Sequence, residues 1–176
     1  ISPASGPQGS ASAFLGIQPE KTTQLDFGAQ YKDETVSAWA SAYIGQIQDY
    51  ILFDYLPGGM MGTKTQARNV KARIMGGELG ADWKATPNWT LGGSLAYAWG
   101  RNSTDGRALP QMPPLDVRLT ADYVQGPWSA GGVWRIVAKQ NRYSQGQGNV
   151  VGYDFGPTGG FSTLSLYGGY KINRNL

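Results

Sequence analysis

Side chains along this chain alternate between apolar and polar, and the connections between the alternating stretches are by turns short and long. From Thr22 to Lys32, Leu25, Phe27, Ala29 and Tyr31 share one face, against Gln24, Asp26, Gly28 and Gln30 on the other. A period of two belongs to an extended strand whose faces meet environments of opposite polarity. The same period runs through Leu91, Gly93, Leu95, Tyr97 and Trp99. It recurs at Leu115, Val117, Leu119, Ala121 and Tyr123, opposite Asp116, Arg118, Thr120 and Asp122. Four less regular strands are expected over Val36–Phe53, Val70–Trp83, Trp128–Gln140 and Phe161–Ile172, so about seven in all. The apolar face of the Val36–Phe53 strand stays open, because Val36, Ala38, Ala40, Ala42 and Ile44 compete with Trp39 and Tyr43.

Tight turns at Lys32–Thr35, Lys84–Asn88 and Val124–Pro127 interleave with long connections at Asp54–Asn69, Arg101–Pro113 and Asn141–Gly160. The first twenty residues read as the tail of another long connection. In an up-and-down sheet alternate connections share an end, so all short turns lie at one end and all long loops at the other. That asymmetry is the signature of an outer-membrane barrel with short periplasmic turns and long extracellular loops. Trp83, Trp89 and Trp128 flank short turns at a common height, as an interfacial aromatic belt requires. No run of eighteen apolar residues exists for a membrane-spanning helix. A soluble β-sandwich is the competing fold, and it requires Phe27, Leu95 and Leu119 to be buried in protein.

The residues available restrict the chemistry. With no Cys and no His, thiol nucleophiles, imidazole bases and the commonest zinc ligands are missing from this stretch. Asp116 and Asp122 would share a face but lie roughly 20 Å apart along a strand, too far for joint acid and base work. No enzyme activity and no resident cofactor are expected. The net charge of +3 comes from basic residues such as Lys32, Lys64, Lys84, Arg101 and Arg142, scattered at turns and strand ends, which does not describe a nucleic-acid surface. Asp26, Glu78, Asp82, Asp116, Arg118 and Asp122 would line a barrel lumen, as water-facing groups or contacts to a plug.

Leu15 to Lys21, containing Pro19-Glu20-Lys21 ahead of an alternating strand, resembles the "L-x-PEK" start of a late barrel strand in TonB-dependent receptors. Ala42-Tyr43 with Gln48-Asp49-Tyr50-Ile51 is similar to that family's strand ending in "DyI". Gly76-Gly77-Glu78, after Asn69, looks like its "GvE" signature, and Leu109-Pro110 with Met112-Pro113-Pro114 its "lp-x-hPP" segment. The four occur in the family's order, and the likeness is greatest to the TonB-dependent copper receptors. The resemblance implies an all-β, antiparallel transmembrane barrel of about 22 strands around an N-terminal plug. Residues 1–176 would form part of that one barrel domain, without the plug, the early strands or the closing strands.

It further implies import of a metal, copper being preferred, across the outer membrane of a Gram-negative bacterium. The partners would be outer-membrane lipid, the rest of the barrel and plug, and the TonB complex through the plug. The alternative is a passive porin or structural barrel without TonB coupling. Soft thioether ligands for a transported copper ion would have to come from Met60 and Met61, paired in the first long loop. Beside Gly58, Gly59 and Gly62, and with no His or Cys nearby, they are better read as a flexible tip, and the resemblance implies that the principal ligands belong to other segments. Met75 is expected to face lipid and Met112 to pack in the Met-Pro-Pro turn. The Gly146–Gly160 stretch fits a loop that closes over a substrate and equally one with no directed role.

Overall fold

The computed structural model describes residues 16–57, 63–149 and 152–172. Met60 and Met61 lie outside them. Nine strands run in chain order: β1 (Lys21–Lys32), β2 (Val36–Pro57), β3 (Thr63–Lys84), β4 (Trp89–Asn102), β5 (Arg107–Ala108), β6 (Asp116–Gln125), β7 (Trp128–Val137), β8 (Gln147–Gly148) and β9 (Phe161–Tyr170). They form one antiparallel sheet in the order β1-β2-β3-β4-β6-β7-β9, so the seven long strands stand in chain order. The two-residue strands are additions, β5 on β4 and β8 on β2.

Because directly paired residues project from the same face, the register sorts every side chain. Leu25 pairs with Ile44, Ile44 with Met75 and Met75 with Trp99. Phe27, Ala42, Gly77 and Tyr97 form the next row. The open question about β2 is therefore resolved: its alanines and Ile44 join the apolar face, and Trp39 and Tyr43 lie on the polar one. Below the cap this apolar face is solvent-accessible, with Phe27 63% and Leu119 45% exposed and Leu95 half-buried, against the burial that a sandwich requires.

The short turns are held by side chains. Asp33 Oδ1 accepts the amides of Thr35 and Val36 at 2.7 Å each, which holds its carboxyl well below the ordinary carboxylate range, Val36 contributing most. Thr86 Oγ1 accepts the Trp89 amide at 3.0 Å, and Asn88 Nδ2 donates to the Val124 carbonyl at 2.8 Å. Next to these turns Trp89 packs on Tyr123 with ring centres 4.9 Å apart, and Trp128 on Tyr170 at 4.5 Å.

At the other end the loop expected over Asp54–Asn69 is mostly strand, β2 continuing to Pro57 and β3 beginning at Thr63. The extension escapes a period-two reading because a register shift between Ile47 and Tyr50 inserts one extra residue, with Asp49 at φ 58°, and reverses which parity faces which way. β7 in turn stops at Val137, short of the expected Gln140.

Candidate functional site

The polar face carries the groups expected to line a lumen. Glu78 pairs in register with Ser41 and Ala96, and Ala96 with Asp116, so both carboxylates stand in one row. Asp26, Asp82, Arg118 and Asp122 share the face by the same register. Its large aromatics lie flat over glycines of the neighbouring strand. A Cβ on Gly80 would sit 2.9 Å from the Trp39 indole, one on Gly76 2.6 Å from the Tyr43 hydroxyl, and one on Gly131 2.6 Å from the Tyr167 ring. Bulky side chains are thus laid along the wall instead of projecting from it, and any substituent on these glycines must displace a ring.

Arg135 donates from Nε and Nη2 to Asp116 at 2.9 and 2.5 Å, and Arg118 approaches the same carboxylate at 4.0 Å. The Tyr167 hydroxyl donates to Asp122. A pocket of 680 Å³ opens here, lined by Tyr43, Glu78, Asp116, Arg135 and Phe161 and reached by Pro113 and Pro114 from the connection above. It combines carboxylates, a guanidinium and aromatic surface, suited to contacts with a polar polypeptide or a passing solute.

Above the pocket the long connections fold into a cap, which holds the buried core of the described residues: Leu52, Phe53, Ala67, Val70, Ala72, Leu109 and Val137, with buried Asn102, Ser144, Gln147 and Asp154. Arg68 bridges Asp54 and Asp105, each at 2.5 Å. The hydrogen bond from Arg68 draws the Asp105 carboxyl below its ordinary range, and the two carboxylates hold the guanidinium above its own. Asp154 accepts the amides of Ser144 at 2.9 Å, Gly156 at 3.1 Å and Gln111 at 3.3 Å. Gln147 donates to Asp54 at 2.9 Å, and β8 pairs with Phe53 and Asp54 of β2. The connection from β7 to β9 therefore reaches past β6, β4 and β3 to grip β2. It is a folded strap, and only residues 150 and 151 of it lie outside the described set.

The first two quoted motifs meet at the β2 bulge, together with Asn69. Glu20 Oε1 accepts the Ile51 amide at 2.7 Å. Asn69 accepts the Gln18 amide at 2.7 Å and donates to the carbonyls of Gln18 and Asp49 at 2.9 and 2.6 Å. They are joints of the wall. Met75 lies on the apolar face, 42% exposed, and Met112 packs where a Cβ on Gly100 would stand, 2.8 Å from its sulfur. No group of three or more Asp or Glu carboxylates suited to a metal ion occurs among the described residues. Sequence reading missed the Arg68 bridge, whose partners come from separate segments, and the Asp154 hub, which ties Ser144 and Gly156 of its own connection to Gln111 of another.

A family described as TonB dependent receptor-like, beta-barrel, matches residues 2–176. Among solved structures, the "Copper transporter OprC" is 59% identical over 99% of this chain and 26% of its own, with a TM-score of 0.90. The FrpB iron transporter from Neisseria meningitidis is 20% identical over 89% of this chain and 25% of its own, with a TM-score of 0.60. A ferric enterobactin receptor from Pseudomonas aeruginosa, PfeA, is 16% identical over 90% and 25%, with a TM-score of 0.68. The latter two likenesses are of fold. The chain spans about a quarter of the length of these structures. No curated protein sequence matches it.

Proposed function

Since the chain belongs to the TonB-dependent receptor β-barrel family, whose barrels are outer-membrane proteins, we propose that it forms part of the wall of an active copper importer. The observation that carries this reading is the 59% identity to a copper transporter along 99% of the chain. In the proposed arrangement the apolar face meets lipid and the polar face encloses the lumen. The short turns face the periplasm and the cap faces outward. The rest of the barrel, a plug and the TonB complex complete the machine.

The wall's part in import follows from its geometry. Rings laid over Gly76, Gly80 and Gly131 leave a low-relief surface against which a plug can seat and from which it can withdraw without steric locking. Exposed Glu78 and the Arg135–Asp116 pair supply polar contacts that water readily replaces. Import requires such contacts to be released, and contacts of this strength suit release. No reaction is assigned to the wall.

The test is copper content and copper uptake by the full-length receptor, with and without an energised TonB system, alongside a Met60→Ala, Met61→Ala double variant. Energy-dependent copper uptake supports the reading, and retained copper in the variant places the ligands outside this stretch. Uptake that persists unchanged without TonB favours the passive pore and overturns the proposal.

A further inference from the structure

The basic residues, scattered in sequence, are not scattered in space. Arg73 and Arg101 are direct partners across β3 and β4. Both belong to the apolar face, one step beyond the Met75–Trp99 row. Lys71 projects from the same face two residues further along β3, and Arg142 lies over the Trp99 ring with its guanidinium 4.5 Å from the ring centre. Asp26, Asp54, Glu78, Asp82, Asp116 and Asp122 all project from the opposite face, and Asp49, in the bulge opposite Lys71, makes no ion pair with these cations. The ion pairs of the described residues use Arg68, Arg118 and Arg135, and none of the four rim cations.

Like charges directly opposed across a ladder repel, and among the described residues no carboxylate pairs with them: Arg101 reaches only the Gly106 carbonyl at 3.5 Å and Arg142 the Gly100 carbonyl at 3.0 Å. From Trp83 to Arg73 is ten residues, roughly 33 Å of strand and about 25 Å of height at a tilt near 40°, the height of the apolar band of such barrels. Snorkelling explains a single cation at that level. It does not explain two guanidiniums placed face to face beside a third held on an indole. Guanidinium forks match phosphate oxygens in pairs, so one phosphate between Arg73 and Arg101 converts the repulsion into two charge-assisted contacts.

We infer that Lys71, Arg73, Arg101 and Arg142 form a binding site for the phosphates of an outer-leaflet glycolipid, the chemistry of lipid A. The inference rests on the outward orientation of the cap proposed above. The site commits to the outer leaflet because the cluster stands at the cap end, whereas the Trp83, Trp89 and Trp128 end carries no such group on the apolar face.

The full-length receptor in mild detergent, titrated with bisphosphorylated lipid A and followed by native mass spectrometry, tests it. An Arg73→Gln, Arg101→Gln double variant with unchanged thermal unfolding is expected to bind at least tenfold more weakly, and lipid A stripped of its phosphates to bind wild type as weakly. A Lys71→Gln, Arg142→Gln pair provides the same readout should the first variant fail to fold. Equal binding by variant and wild type, or equal binding of phosphatidylglycerol, overturns the site. Labelling of Ser103→Cys by an impermeant maleimide in intact cells reports orientation separately. Labelled cells with undiminished lipid A binding by the variants remove this inference alone, whereas absent labelling removes the orientation and the site with it.

Discussion

The carboxylate of Glu20 accepts the backbone amide of Ile51 at 2.7 Å, stitching the start of β1 to β2 just beyond the bulge. Asn69 completes the joint from β3 with three hydrogen bonds. Replacing Asn69 with Ala leaves two carbonyls and an amide without their partner, and an order of 1–3 kcal/mol of stability is expected to be lost. Asp49→Gly, relieving the left-handed φ of 58°, is expected to be neutral or stabilising. Thermal unfolding of both variants in the full receptor checks this, and a stable Asn69→Ala protein would refute the joint.

Gly76→Ala places a methyl group within 2.6–2.7 Å of the Tyr43 ring. The ring must lift from the wall, at about 1–3 kcal/mol. A Gly76→Ala, Tyr43→Ala double variant is expected to recover most of the loss relative to Tyr43→Ala alone. A double-mutant cycle on thermal unfolding measures the coupling, and simple additivity of the two effects would contradict the contact.

The Arg68 bridge makes the cap sensitive to acid. The Asp105 carboxyl is depressed in the folded cap, mainly by the hydrogen bond from Arg68. Its stabilisation is therefore fully present above the ordinary carboxylate value of 3.8 and is lost as pH falls through the lower folded value. Hydrogen exchange at the Asp154 amide, which donates to the Gln147 carbonyl, reports the strap. Protection is expected to hold at neutral pH and to fade below about pH 4, and Arg68→Met to lower it already at neutral pH.

The indoles of Trp83, Trp89 and Trp128 are expected to report one shallow depth, and Trp134 a deeper one. Trp134 pairs with Leu119 and Leu119 with Gly93, a row well inside the turn-end belt. Fluorescence quenching by phospholipids brominated at different chain positions, in single-Trp variants, measures this directly. A common depth for all four would reject the proposed placement of the wall across the membrane.

Period-two alternation made the seven long strands readable in advance, and the apolar rows of β1, β4 and β6 with them, since an environment that differs between two faces acts on every second residue. It failed where the chain departs from that period. The bulge at Gln48 and Asp49 reverses the parity of β2, and its last four residues, Asp54–Pro57, looked like loop. Arg73 and Arg101 looked scattered because ladder neighbours are remote in sequence. The methionine pair Met60 and Met61 lies outside the described residues, and the copper reading stands on likeness to a relative instead of on a ligand set.

The hydrogen bond between Gln147 and Asp54 spans 93 positions of the chain, while the hairpins beneath it close over short turns. Closing so long a span costs more chain entropy than any hairpin, and non-local contacts of this kind form late. Assembly of this region is thus two-tiered: the wall can zip up hairpin by hairpin, and the cap is sealed only once the connection after β7 has folded back onto β2. A lesion in the seam should leave a barrel that inserts on time but matures slowly at its outer rim.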